Sequence, residues 1–321
     1  MDVTWDKYWD SFLNENKLRG HVLQMDSVDD GECKTEKICK EVYCNYPSYF
    51  EKWEKVRGKI VKQIEGISVV HLHTSRVKSI DSILRKIITK RHERLLNKND
   101  PYSRIAADNF QSIITDLAGV RLIMSYRGDW KGLHKELVSL FPYATDEEYS
   151  TYDTVPHKDG QVFLAQRPIV YHAKDDDLSI YLSENVETKF KERGYRSIHY
   201  VISYENVYVE IQTRTIYDEA WSDCDHRYVY KHDECPSYSA LKEMSAILCE
   251  YTNNTSDFGE EMRRVFDSHS AIDCGGEKYN VTKEMKDRMD RVFERYVSVQ
   301  NHFGAFLDKL VVMEGGNEDD I

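Results

Sequence analysis

Residues 191–215 constrain this chain more than any other stretch. Lys191-Glu192-Arg193-Gly194-Tyr195-Arg196-Ser197-Ile198-His199 leads through an aromatic, β-branched run into Glu210-Ile211-Gln212-Thr213-Arg214-Thr215. Residues 195–204 and 207–215 have the composition of strands. Glu205-Asn206 between them makes a two-residue turn. Such a turn sets Val201 opposite Glu210, His199 opposite Gln212 and Ser197 opposite Arg214. Side chains alternate along strands, so Ser197, His199, Glu210, Gln212 and Arg214 share one sheet face. Five polar groups there make a poor core and a candidate site.

The rest of the composition narrows the class. Of 321 residues 40% are hydrophobic, enough for the core of one or two domains. The net charge of -12, from 44 basic and 56 acidic residues, weighs against broad binding to a phosphate backbone and leaves room for a local basic pocket. No stretch approaches the roughly 18 apolar residues of a membrane span. Met1 to Asp10 is acidic and aromatic, unlike a signal or transit peptide. The expectation is a cytoplasmic protein without membrane contact. Seven cysteines, with no CxxC pair, read as free thiols. The loose cluster Cys33, Cys39 and Cys44 does not match structural zinc spacing.

The chain is expected to divide into an N-terminal segment (1–47), a central domain (48–232) with an insertion at about 141–188, and a helical C-terminal region (233–321). Phe50, Trp53, Val56, Ile60 and Ile64 predict a helix over 48–65. A short strand follows at 69–74, then a helix over 79–96 with Ile80, Ile83, Leu84, Ile87 and Ile88 as its apolar face. A short helix at 109–117 precedes a strand at 120–126, and Asp129 caps a helix to about 140. Pro142, Pro156, Pro168 and the run Asp175-Asp176-Asp177 mark 141–188 as extended segments and loops. A helix is expected over 216–230, with Trp221 in its core, and a long one over 283–312. An acidic tail closes the chain, and residues 26–32 read as a loop.

Four constellations can carry chemistry, the last being Trp221 through His226 and Lys231 on the helix after the hairpin, where His226 can touch phosphate or simply cap and pack. Lys78, Ser82 and Lys86, at i, i+4 and i+8, form one stripe of a helix, preceded by Arg76; two ammonium groups and a hydroxyl there suit a polyphosphate. They equally suit a solvated basic face. In Asp116-Leu117-Ala118-Gly119-Val120-Arg121 a helix ends at a glycine and enters a strand, so Asp116 stands at the strand mouth, where a carboxylate can hold Mg²⁺. Arg121 can stack on a base or contact phosphate, or pair with a neighbouring acid. On the hairpin face Glu210 is the natural second metal ligand or general base. His232-Asp233 lacks the companion histidines of a metal hydrolase.

These pieces, in this order, resemble the RelA/SpoT synthetase domain, the family of alarmone synthetases. Its R-x-K-x-x-x-S-I-x-x-K stands as Arg76, Lys78, Ser82, Ile83 and Lys86, and its D-x-x-G-x-R as Asp116, Gly119 and Arg121. Its K-x-x-G-Y-x-S-x-H stands as Lys191, Gly194, Tyr195, Ser197 and His199. Its E-x-Q-x-R-T stands as Glu210, Gln212, Arg214 and Thr215, followed by Trp221 and His226. The resemblance implies an α+β fold of nucleotidyltransferase type, a mixed β-sheet flanked by helices, here with additional C-terminal helices. It implies transfer of pyrophosphate from ATP to the ribose 3′-hydroxyl of GDP or GTP, with Mg²⁺ on Asp116 and Glu210. Arg76 and Arg121 would sandwich the adenine, and Lys78, Ser82 and Lys86 would hold the ATP phosphates. Glu210 would activate the acceptor hydroxyl. Tyr195 would stack on the acceptor base, with Lys191, Ser197, His199, Gln212 and His226 around the acceptor.

Departures shape the expectation further. The residues before 50 are too few for the family's hydrolase domain, so a small stand-alone synthetase is expected. Glu219 stands where some members carry an acceptor-contacting asparagine. Residues 218–226 look more like the toxic small synthetases, which implies two alternative acceptors: the 3′ CCA end of tRNA, or an adenosine nucleotide. Lys86, Lys90, Arg91 and Arg94 are the candidate tRNA patch. That branch also brings an antitoxin partner or an autoinhibitory segment, for which residues 1–45 or 233–321 are the candidates, and the long C-terminal helix can build a homo-oligomer. A catalytically silent nucleotide-sensing module is the remaining alternative.

Overall fold

The computed structural model describes residues 4–28, 34–97, 99–174, 176–229, 239–270 and 283–315. Cys33, Asp175, Lys231, His232-Asp233 and the acidic tail lie outside the described residues. Ten helices of the α type are described: α1 (Trp5–Glu15), α2 (Arg19–Val28), α3 (Lys34–Ile64), α4 (Ile80–Glu93), α5 (Phe110–Ile113), α6 (Trp130–Leu140), α7 (Asp146–Thr151), α8 (Ile216–Tyr228), α9 (Ser239–Ser270) and α10 (Lys283–Gly315). The strands are β1 (Val70–Val77), β2 (Ala118–Met124), β3 (Phe163–Leu164), β4 (Ile169–His172), β5 (Glu187–Phe190), β6 (Ser197–Tyr204) and β7 (Val207–Thr215). They form one mixed sheet in the order β1-β2-β7-β6-β4-β5, with β3 also on β6. β2/β7 and β4/β5 are parallel pairs and the others antiparallel.

The expected hairpin is present in the expected register, with Val201 opposite Glu210 and His199 opposite Gln212. Its turn residues Glu205 and Asn206 both have positive φ, 47° and 56°, the backbone of a type I′ turn. Alternation then sorts the sheet. Val120, Leu122, Ile198, Tyr200, Ile202, Val209 and Ile211 face a core shared with Trp53, Ile60, Ile83, Ile87 and Trp130 from the covering helices. The opposite face carries Arg121, His199, Glu210, Gln212 and Arg214.

Three expectations on elements need correction. The helix expected from residue 48 begins at Lys34 and passes through Pro47. Proline in a helix interior costs about 3 kcal/mol, but Thr35, Cys39 and Val42 before it lie on the same buried face as Trp53, Val56 and Ile60 after it, and that burial holds the helix through. Residues 26–28, expected in a loop, end α2. α1 and α2 bury Trp9, Phe12, Leu13 and Met25 in the main core. Within 141–188 Asp176 is no part of a solvated charge run. It accepts from Arg196 Nε on both oxygens (2.9 and 2.8 Å) and from Nη2 (2.6 Å), and its carboxyl is only 9% exposed. Arg196 and the Arg127 guanidinium nearby outweigh the cost of burial and hold Asp176 below the usual carboxylate range.

Candidate active site

Strand register assembles the site. Gly119 pairs with Glu210 and Arg121 with Gln212 across β2/β7, while His199 pairs with Gln212 across β7/β6. On β1, Arg76 pairs with Gly119, which makes Arg76 and Arg121 diagonal neighbours on the same face. Gly119 is inside β2, not at a helix end. A Cβ there would meet the Glu210 carbonyl oxygen at 3.7 Å, an ordinary contact. The glycine therefore leaves an open position between Arg76 and Glu210 without being required by backbone crowding.

Asp116 stands in the turn just before β2. Lys78 Nζ donates to its Oδ2 (2.7 Å) and Lys86 Nζ to its Oδ1 (2.8 Å). Lys86 comes from α4. Lys78 does not: the helix starts at Ile80 with Ser79 as its cap, so the expected three-residue helical stripe is broken. Lys78 is held instead by the β1–β2 edge, its backbone N–H donating to Leu117 O at 2.8 Å. Ser82 is exposed in the first turn of α4, its Oγ accepting from Ser79 Oγ at 2.9 Å. Burial pushes the Asp116 carboxyl up, but Lys86 and Lys78 together outweigh it and leave it below the usual range. Burial likewise opposes the Lys86 charge, and Asp116 and Glu210 more than offset that.

Glu210 is the terminus of a directed hydrogen-bond network. Gln212 Nε2 donates to Oε2 (2.6 Å) and His199 Nδ1 lies 3.1 Å from Oε1. A carboxylate only accepts, so His199 carries its proton on Nδ1 and its Nε2 accepts from the Tyr195 hydroxyl at 3.0 Å. Arg214 Nη2 donates both to the Tyr195 oxygen (2.8 Å) and to Gln212 Oε1 (2.8 Å). Two branches thus run from Arg214 to the two oxygens of Glu210. Burial raises the Glu210 pKa, His199 and Gln212 lower it, Asp116 raises it, and the net effect is a carboxyl below the usual range. Asp116 and Glu210 therefore sense each other's charge.

The remaining predicted residues fall around this centre. Ser197 is buried and donates to Thr213 O at 3.3 Å, a sheet contact. Lys191 is exposed, its ammonium 4.8 Å from the Tyr171 ring centroid. His226 is exposed on α8, two turns beyond Glu219 on the helix face that also carries Ser222. Glu219 bridges Arg121 Nη1 and Arg214 Nη1, the latter at 3.1 Å, and Ser222 Oγ accepts from Arg214 at 2.7 Å. Tyr195 has the Arg214 guanidinium 5.2 Å from its ring centroid. Tyr171, edge-on to His199 at 4.7 Å, was missed in the sequence, although the run Ile169-Val170-Tyr171-His172 after Pro168 carries a strand signal. The Lys86, Lys90, Arg91 and Arg94 patch is not one basic surface. Lys86 turns to Asp116, Lys90 pairs with Glu93, Arg91 is buried and Arg94 pairs with Asp100.

The architecture is an α+β domain, a mixed sheet flanked by helices with two carboxylates among cations on its open face. The chain belongs to the RelA/SpoT family: the description "Region found in RelA / SpoT proteins" matches residues 75–235. No curated protein matches the chain. It is similar to solved structures of a GTP pyrophosphokinase family protein from Streptococcus pneumoniae (18% identity, 72% of this chain and 98% of that one, TM-score 0.48). It is also similar to the small alarmone synthetase 1 from Bacillus subtilis, alone (19%, 70% and 98%, TM-score 0.46) and bound to its product pppGpp (19%, 70% and 98%, TM-score 0.47).

Two carboxylates within electrostatic reach suit a hard cation such as Mg²⁺, which takes one or two carboxylates plus substrate phosphates. Among the described residues no group of three His, Cys, Asp or Glu side chains gathers around a metal-sized point. Among the described residues no helix is long and apolar enough to cross a membrane.

Proposed function

We propose that the chain is an ATP-dependent pyrophosphokinase that transfers the β,γ-pyrophosphate of ATP to the 3′-hydroxyl of GDP or GTP. The observation that carries this is the pair Asp116 and Glu210, each held ionised by its own donors and close enough to feel the other. Asp116 and Glu210 would hold Mg²⁺, which when bound neutralises charge on the transferring phosphates. Lys78 and Lys86, freed from Asp116, would take the ATP phosphates beside Ser82, and Arg76 and Arg121 would flank the adenine. Glu210, deprotonated at neutral pH, would accept the proton of the acceptor 3′-hydroxyl. That oxygen forms the new bond to the β-phosphorus, and AMP departs with the oxygen that linked the α- and β-phosphates. Lys191, Tyr195, His199 and Gln212 would position the acceptor, with His226 at the rim.

One observation favours a second acceptor. Glu219 pairs with both Arg121 and Arg214 and lowers the net positive charge of the site that would take two nucleotides. An acceptor that brings no 5′-polyphosphate, the 3′ CCA end of tRNA, fits that charge balance better, whereas an adenosine nucleotide carries the same 5′-phosphates as a guanosine one. Incubation with Mg²⁺, γ-labelled ATP and each of GDP, GTP, ATP and tRNA separates the acceptors. Transfer of label to none of them overturns the enzyme reading and leaves the silent sensing module. Glu210→Gln is expected to lower transfer at least about a hundredfold, as loss of a general base does, with unchanged circular dichroism; full activity in that variant removes Glu210 from the chemistry.

A further inference from the structure

We propose that the Tyr195 hydroxyl, oriented by Arg214, is a positioning group for Glu210: it holds His199 in the tautomer and ring plane that present Nδ1–H to that carboxylate. The family resemblance gives Tyr195 only an aromatic ring for the acceptor base and gives Arg214 no role. The inference rests on Glu210 being the base of the proposed transfer. Arg214 is too buried to reach a substrate, its side chain being only 3% exposed. Its guanidinium is occupied by the protein. Nη2 donates to the Tyr195 oxygen and to Gln212 Oε1, both at 2.8 Å, and Nη1 donates to Ser222 Oγ (2.7 Å) and Glu219 Oε2 (3.1 Å).

The direction of this network comes from its two ends. A guanidinium only donates and an ionised carboxylate only accepts, whereas a tyrosine hydroxyl, a neutral imidazole and a carboxamide between them can each be turned either way. The Tyr195 oxygen accepts from Arg214, so its own proton is free for His199 Nε2 at 3.0 Å. An imidazole nitrogen that accepts leaves the ring proton on the other nitrogen. Here that is Nδ1, 3.1 Å from Glu210 Oε1. The Gln212 amide is set in the same way: its oxygen accepts from Arg214 and its Nε2 donates to Glu210 Oε2 at 2.6 Å. Ser197, the other hydroxyl beside Tyr195, is the weaker acceptor for the tyrosine proton, because an imidazole nitrogen is far more basic than an alcohol oxygen.

Packing fixes the rings as well. Tyr171 stands edge-to-face with His199 (centroids 4.7 Å apart, planes at 71°) and with Tyr195 (5.9 Å, 61°), and the Arg214 guanidinium lies over the Tyr195 ring at 5.2 Å. His199 is therefore held at Nδ1, at Nε2 and along its ring. Tyr195 is held at its hydroxyl and by the cation, while the side chain stays partly exposed. Its ring and its hydroxyl thus serve different ends. The ring is the platform proposed for the acceptor base, and the hydroxyl is spent inside the protein on the orientation of Glu210. Acceptor binding and the orientation of the base meet in one side chain. Loss of an orienting partner one step removed from a site typically costs about ten- to a hundredfold in activity, which is large enough to separate this role from plain packing.

Tyr195→Phe keeps the ring and removes the hydroxyl alone. With saturating ATP and the acceptor that takes label, kcat is expected to fall about ten- to a hundredfold, with KM for that acceptor and the circular dichroism spectrum unchanged. A Tyr195 that is only a platform predicts the wild-type kcat, and that result overturns the proposal. NMR of the histidine ring nitrogens gives a readout that needs no turnover, with His199→Gln identifying the signal. The wild type is expected to show a neutral His199 protonated on Nδ1. Tyr195→Phe and Arg214→Met are expected to lose that single state, and Arg214→Lys, which still donates, to keep it in part. A wild-type His199 protonated on Nε2, alone or together with Nδ1, overturns the proposal, as does a Tyr195→Phe spectrum identical to that of the wild type. If no acceptor takes label, the transfer reading fails, and the nitrogen spectra still decide whether Tyr195 and Arg214 orient His199.

Discussion

Glu210 accepts one hydrogen bond on each oxygen, and both donor branches trace back to Arg214. Asp116 is held by two ammonium groups. Both carboxylates therefore titrate lower in the folded protein than in the unfolded chain. Their ionised forms stabilise the fold above the ordinary carboxylate range near pH 4, and that contribution is lost as pH falls through the depressed folded values. Asp116→Asn leaves Lys78 and Lys86 facing a neutral amide. Urea denaturation should show a loss of about 2 kcal/mol at neutral pH and a flatter dependence of stability on pH below about 4; an unaltered pH profile would show that Asp116 is not ion-paired. Glu219→Gln removes the anion between Arg121 and Arg214. Calorimetric titration with a non-hydrolysable ATP analogue should show several-fold tighter binding, the equivalent of about 1 kcal/mol for a partly exposed pair; weaker binding would make Glu219 a ligand contact rather than a competitor. The polar residues of this face were legible because strand alternation puts every second side chain together. The order of donors was not, because it depends on rotamers that neighbouring strands impose.

At the scale of elements, the hairpin and α8 carry most of the residues proposed to hold the acceptor. Thr215 caps α8 through a reciprocal pair: Thr215 Oγ1 donates to Asp218 Oδ2 (2.6 Å) and the Asp218 N–H donates to Thr215 Oγ1 (3.2 Å). This fixes the helix start directly after β7 and turns Glu219 and Ser222 onto the sheet face. The turn Glu205-Asn206 sets the register that pairs His199 with Gln212. Asn tolerates the positive φ, whereas a β-branched side chain does not. Asn206→Val should cost about 1–2 kcal/mol in chemical denaturation, and a neutral effect would mean that the turn relaxes to another type. Elements with strong local signals, the hairpin, α4 and α6, were predicted within a few residues. α3 was cut short because Pro47 is a local stop signal, and a buried face continuous on both sides of it is a tertiary property. Extended segments were expected over 141–188, and β3, β4 and β5 lie there; the helix α7 was missed because its six residues are too few to show an apolar period.

For the whole molecule, α9 ties the C-terminal helices to the motif loop at Gly194. Trp221 Nε1 of α8 donates to Ser245 O (2.9 Å), Ser245 Oγ donates to Asp225 (2.7 Å), and Glu260 accepts from the Gly128 N–H (3.1 Å). Gly194 has φ of 80°, and a Cβ there would lie 2.7 Å from Cys249 Sγ. Gly194→Ala therefore meets two penalties, the left-handed backbone and the thiol. We expect a loss of about 2 kcal/mol or more, partly recovered in the double variant with Cys249→Ala. Equal destabilisation of single and double variants in thermal denaturation would show that α9 does not press on this loop.

The order of motifs, the hairpin register and the polar face follow from the sequence alone, because they rest on local periodicity and turn chemistry that act over a few residues. Which cation holds Asp116, how Arg214 feeds Glu210 from two sides and where Asp176 is buried were decided only by tertiary structure. Burial and pairing depend on what the rest of the chain brings alongside, and no window of sequence contains that. The glutamate at the centre of the hairpin was visible from the start; the network that keeps it ionised became visible only when the strands closed around it.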